Sequence, residues 1–114
     1  MIDEVDALLK TTLSAQCPHV ARLAFRGKAA TYITYQLVLS QDRDAADDVL
    51  QGAEYTYRVD IYSKRDYMAL LRRTKQALKA AGFYGFVIDP EVYEPDTGYY
   101  HVPIEIKFYE KTEV

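Results

Sequence analysis

The spacing of apolar residues changes along this chain, and each change marks an element. Ile2, Val5, Leu8, Leu9 and Leu13 recur near helical spacing, with Asp3, Glu4 and Asp6 in the first turn, where carboxylates favour the positive end of the helix dipole. This predicts a short amphipathic helix over residues 2–13. It ends by Ser14 to Pro18, because the residue before a proline is pushed toward extended geometry. From His19 to Phe25, the residues Val20, Leu23 and Phe25 keep no single period, and Arg26-Gly27-Lys28 reads as a turn, so a short strand is expected there.

From Thr31 to Leu39 the pattern is one of alternation. Ile33, Tyr35, Leu37 and Leu39 interleave with Tyr32, Thr34, Gln36 and Val38, which predicts a strand with one wholly apolar face. The acidic run Asp42-Arg43-Asp44-Ala45-Ala46-Asp47-Asp48 reads as a solvated surface loop with at most a helical turn. A second strand follows over Tyr55 to Ser63, where Tyr57, Val59 and Ile61 alternate with Arg58, Asp60 and Tyr62.

The period then returns to that of a helix. Between Arg65 and Ala81, Met68, Leu71, Thr74 or Lys75, Leu78 and Ala81 fall three and four residues apart, and Gly82 stands where a terminating glycine belongs. Ser63 is placed as the N-cap or near it, with Asp66 in the first turn. Arg72, Lys75 and Lys79 form a basic stripe on the outer face. Phe83 to Ile88 and Tyr99 to Tyr109 are two further strands. In the second, Tyr100, Val102, Ile104, Ile106 and Phe108 alternate with His101, Pro103, Glu105 and Lys107. Pro103 lacks an N–H and suggests an edge position or a bulge, as does Pro90 for the strand before it.

This order of elements predicts an α+β fold: a mostly antiparallel sheet of about four to five strands, with the N-terminal helix and one long helix packed on it. No repeat or linker divides residues 1–114, and one domain is expected. A chain of 114 residues with 49% hydrophobic and 27% charged side chains can bury a working core without disulfides or metal. Its one cysteine, Cys17, cannot pair within the chain, and with only His19 and His101 it makes no recognisable metal spacing. A buried thiol in a reducing compartment is expected. A net charge of -3 and a pI near 5.3 argue against broad nucleic-acid binding. No apolar run approaches the length of a membrane span, and Met1-Ile2-Asp3-Glu4 is acidic where a signal peptide would be basic; a soluble protein made in the cytoplasm is expected.

Asp96-Thr97-Gly98 matches the triplet in which aspartic proteases present a catalytic carboxylate. Those enzymes place it at the end of a hydrophobic strand, buried against a second carboxylate. Here Glu94-Pro95 precede it and strand candidates flank it, which is the composition of a hairpin turn. The sequence also has no glycine-rich phosphate loop, no spaced His and Cys set and no Gly-x-Ser-x-Gly elbow. Neither catalysis nor a cofactor is expected. What stands out is tyrosine, with 11 copies against 4 phenylalanines and no tryptophan. Tyr32, Tyr62, Tyr99 and Tyr109 on half-wet strand faces are candidates for protein contact, or else simply cover sheet edges.

Tyr57-Arg58-Val59-Asp60-Ile61-Tyr62-Ser63-Lys64, then a helix ending Ala81-Gly82-Phe83, then Tyr93-Glu94-Pro95-Asp96-Thr97-Gly98-Tyr99-Tyr100-His101, resembles the small tail-completion proteins of long-tailed bacteriophages and prophages. That group includes tail terminators and tail-to-head joining proteins. The resemblance spans about residues 31–109; it departs at Tyr62, where many relatives carry tryptophan, and at Val102, where a basic residue often follows the histidine. It implies a structural role in the virion without cofactor or catalysis: a ring, expected to have six copies, that caps the finished tail tube and receives the head connector or head completion protein. Such proteins include ones that stay monomeric until the growing tail recruits them. It implies no membrane partner and no small-molecule substrate.

A ring needs one surface that meets a different surface of the next copy. Asp42, Asp44, Asp47 and Asp48 on one side and Arg72, Lys75 and Lys79 on the other have opposite sign and similar extent, and either meet across subunits or are separate solvated patches. An alternative function is a soluble adaptor that binds a host protein or nucleic acid through the same basic helix face.

Overall fold

The computed structural model describes residues 2–44 and 51–112. The elements run α1 (Ile2–Ser14), β1 (Val20–Arg22), β2 (Thr31–Asp44), β3 (Gln51–Ser63), α2 (Met68–Ala80), β4 (Tyr84–Ile88), β5 (Val92–Glu94) and β6 (Tyr99–Thr112). The fold is α+β, as the alternating periods predict. The strands make one six-stranded sheet in the order β1-β2-β3-β6-β4, with β5 also paired to β6. Every pairing is antiparallel except that of β1 with β2.

Both helices lie on one face of this sheet. Val5, Leu9 and Leu13 of α1 and Leu70, Thr74 and Leu78 of α2 are buried with Ile33, Tyr35, Tyr57, Val59, Ile61, Val102, Ile104 and Ile106. Full burial of an aliphatic side chain is worth about 1.5–3 kcal/mol, so this row of inward strand residues supplies most of the driving force for docking the helices. Cys17 is buried beside them, its thiol directed to the carbonyls of His19 and Thr31.

The helix expected from Arg65 starts later, at Met68, and Ser63 is not its cap. Ser63 is the last residue of β3, its hydroxyl 2.9 Å from that of Thr31 and accepting from the backbone N–H of Arg65. Asp66 precedes the helix rather than lying in its first turn, and its carboxylate accepts from Met68 N at 3.0 Å. The buried stripe is correspondingly Leu70, Thr74 and Leu78, with Met68 exposed. The C-terminus ends as expected. Gly82 at φ 107 lets its own N–H reach Lys79 O and that of Phe83 reach Leu78 O, which satisfies two carbonyls of the last turn.

In β2 the register shifts between Leu37 and Leu39: Leu37 pairs with Tyr57, but Leu39 pairs with Thr56. Val38 is the extra residue of a β-bulge, and such a residue reverses which side chains face which way. Leu39 therefore leaves the apolar face and is exposed, contrary to the unbroken alternation expected of Thr31–Leu39. The acidic run also differs from the expected loop. Asp42, Arg43 and Asp44 continue β2, paired with Ala53, Gly52 and Gln51; Ala45 to Asp48 lie outside the described residues.

Pro103 is neither at an edge nor in a bulge. It sits in β6, between β3 and the β4/β5 side, opposite Asp60. Its carbonyl accepts from Asp89 N at 3.0 Å, so its N atom faces the same side, at the gap that Asp89-Pro90-Glu91 leaves between β4 and β5. No strand needs an N–H there. Beyond the start of β4, which pairs Tyr84 with Lys107, the far ends of β2, β3 and β6 continue as a three-stranded arm, and the molecule measures 53 × 24 × 22 Å.

Candidate subunit interface

Asp96 is exposed at the tip of a hairpin. Glu94 pairs with Tyr99, and Pro95 to Gly98 connect them, with Gly98 at φ 78 donating its N–H to Glu94 O at 2.8 Å. The side chain that ties the turn is Thr97, which donates to the Glu94 carboxylate at 3.1 Å and accepts from Tyr99 N. An exposed carboxylate on a turn lacks the buried setting that an aspartic protease requires. Among the described residues, no group of three or more His, Cys, Asp or Glu side chains is placed to hold a metal ion. No described helix is long and apolar enough to cross a membrane.

The sheet face without helices carries a run of stacked rings. Phe25, Tyr32, Tyr62 and His101 follow one another with centroid separations of 4.7, 4.6 and 4.1 Å, and Tyr99 meets Tyr32 edge-on. Burial, with the neighbouring Tyr62 and Tyr99, pushes the Tyr32 phenol up to about 12. Alongside this run lies Asp60, only 5% exposed, with His101 Nε2 at 2.7 Å and Arg58 Nε at 3.0 Å. Its bond to His101 joins β3 to β6, while Arg58 holds the same carboxylate from within β3. Sequence reading had left Asp60 and His101 as ordinary wet-face residues; only the register that sets them on adjacent strands reveals the pair. Of the tyrosines singled out from the sequence, Tyr32, Tyr62 and Tyr99 thus contact one another, while Tyr109 is exposed on the arm beside Gly52.

The charged residues predicted to form a subunit contact lie on different elements, the acidic ones on a strand and the basic ones on a helix. Asp42 and Asp44 end β2. Arg72, Lys75 and Lys79 lie on α2, and Lys75 and Lys79 line a cleft of about 460 Å³ with Phe83, Tyr84, Gly85 and Phe86 of the β4 side. Lys79 Nζ stands 5.7 Å from the centre of the Phe86 ring. With β3 and β6 between them, the acidic and basic sets are not neighbours within one subunit, and no ion pair among the described residues joins them. Asp47 and Asp48 lie outside the described residues.

The bulge decides the side on which Asp42 lies. After Val38 the register sets Asp42 opposite Ala53, in line with Tyr55 and Tyr57 on the helix-covered face. The Tyr55 phenol is pushed up to about 12, first by burial and then by its bond to Glu110, with the charges of Asp42 and Asp3 adding to the effect. On the other face of the arm, Arg43 pairs with Glu54 at 2.9 Å and Tyr84 donates to the same carboxylate. One face of the arm is therefore acidic, and on the other an acid is neutralised.

A chain of the virion of a native gene transfer agent (GTA) particle is similar in fold, with a TM-score of 0.53, 13% identity, and 93% of each chain covered. The two chains share this α+β architecture. No protein-family model and no curated protein matches the sequence. At this identity the likeness is one of architecture, and it extends over nearly the whole chain.

Proposed function

We propose that this chain is a structural virion protein that caps the finished tail tube of a long-tailed phage or prophage particle and joins it to the head connector. It acts as a ring, with six copies expected, and its partners are its own copies, the tail tube protein and the head connector or head completion protein. The observation that carries this reading is the fold held in common with a GTA virion chain over 93% of both. The residues add a physical reason for a ring. An acidic end of β2 and a basic set on α2, of which Lys75 and Lys79 border β4, suit a head-to-tail contact, in which each copy offers a different surface to each neighbour.

In this role the protein positions and holds; it performs no reaction. Gold labelling of a tagged copy tests the reading: label confined to the head-proximal end of the tail is expected. Label along the whole tail, or none on purified particles, contradicts it.

A further inference from the structure

The sheet has two incomplete edges. β1 pairs with β2 only at Ile33 to Tyr35, and Leu23 N reaches Tyr35 O, so from Gln36 to Asp44 no described strand lies on the outer side of β2. At the other end, β4 pairs with β6 on one side and with no described strand on the other. Unpaired strand edges are templates for another chain, and soluble proteins usually blunt them with lysine, proline or a covering segment. Neither stretch contains proline or lysine; the Val38 bulge and the charges of Asp42, Arg43 and Asp44 on β2, and the irregularity between Tyr84 and Val87 on β4, restrict what can pair there, and both stretches still expose apolar side chains, Val38 and Leu39 on β2 and Val87 and Ile88 on β4.

We infer that β4 of one copy pairs, antiparallel, with the Gln36–Asp44 edge of β2 in a second copy, so that the sheet continues from subunit to subunit. Strand direction follows from the topology. β2 and β4 are antiparallel to each other within one copy, so a continued sheet with copies at the same level sets them antiparallel across the contact. Two further features agree. The residues level with β4, traced through β6 and β3, run from Tyr35 to Leu39, which overlaps the start of the free part of β2. Asp42, turned by the Val38 bulge to the helix-covered face, then approaches the next copy on the side where α2 carries Lys75 and Lys79. Without the bulge it would point to the opposite face. The main-chain ladder would supply adhesion and the charge pairs the register, as in other strand-addition contacts.

This inference rests on the reading that copies meet head to tail, and cysteine trapping of the purified full-length protein tests it separately from any role in particles. Val87→Cys is combined in turn with Gln36→Cys, Leu39→Cys and Gln41→Cys, which step along the free edge on the face that Val87 shares. Within one subunit these positions are about three strand spacings apart, or roughly 14 Å, too far for a disulfide. At millimolar concentration under mild oxidation, at least one double variant should give a ladder of dimers, trimers and higher species, while each single variant stays monomeric. Lys79→Glu should lower the ladder yield severalfold, and adding Asp42→Lys should restore it. No ladder from any of the three combinations, or dimers from Val87→Cys alone, would overturn the edge pairing. A yield indifferent to both charge changes would remove the Asp42–Lys79 contact. A ring seen in particles together with no ladder would leave the virion role standing, and a ladder from a protein that particles do not need would do the reverse.

Discussion

The phenol of Tyr84 donates to a carboxylate oxygen of Glu54 at 2.6 Å, a bond that reaches from β4 across β6 to the arm portion of β3. Arg43 holds the other oxygen at 2.9 Å, and the two bonds together hold the Glu54 carboxyl below its usual range. The short strand β4 is thereby fastened to the arm by a side chain as well as by its ladder. Tyr84→Phe should speed amide hydrogen exchange across residues 84–88 and leave Val59 and Ile104 at their former rates. Unchanged exchange throughout β4 would show that the ladder alone holds it.

Tyr32, Tyr55, Tyr57 and Tyr84 all have phenols pushed up to about 12 from 10.0, in each case chiefly by burial. A group whose folded value is raised contributes stability that is fully present below the unfolded value and lost as pH rises through the folded one. These phenols should therefore leave stability untouched up to pH 10 and erode it between 10 and 12. Absorbance titration should show a late tyrosine ionisation that coincides with loss of the circular dichroism signal. Complete ionisation near pH 10 with the fold intact would contradict the burial of these rings.

Asp60 tests the open face. Its carboxylate is buried and accepts from both Arg58 and His101, so Asp60→Ala leaves two polar groups without their acceptor. The expected cost is about 2 kcal/mol, at the low end for a buried pair because Arg58 is partly solvated. Asp60→Asn, which keeps the shape, should cost less. Denaturant melts of the two variants check this, and a loss no greater for Ala than for Asn would mean that the hydrogen bonds contribute little.

Much of this fold is legible in the sequence because one sheet face is dry. Tyr57, Val59 and Ile61, and Val102, Ile104 and Ile106, keep a strict period of two, and all six are buried. The same rule fails at Leu37-Val38-Leu39, where consecutive apolar residues hide a bulge that only the partner register reveals. It fails again at Asp42 to Asp44, where a strand carries consecutive charged residues and so reads like a loop. Pro103 announced a missing N–H correctly, but the gap that excuses it is a property of sheet order. The candidate interface was legible as two charged sets, not as two edges, because which strand ends up outermost depends on the whole topology.

Charge reversal of Arg72, Lys75 and Lys79 to glutamate removes the basic set. Arg72 and Lys79 are exposed and Lys75 is half-buried, so the variant should fold with a modestly lowered melting temperature. Tails should then fail to join heads, and infectious titre should fall sharply. Normal infectious particles from this variant would dismiss the charged contact.

Electron microscopy of particles assembled in a host that lacks this protein tests the central claim most directly. Tails of abnormal length, or separate heads and tails, restored to joined particles when the protein is supplied again, are the expected result. Intact particles with tails of normal length and full infectivity would contradict it.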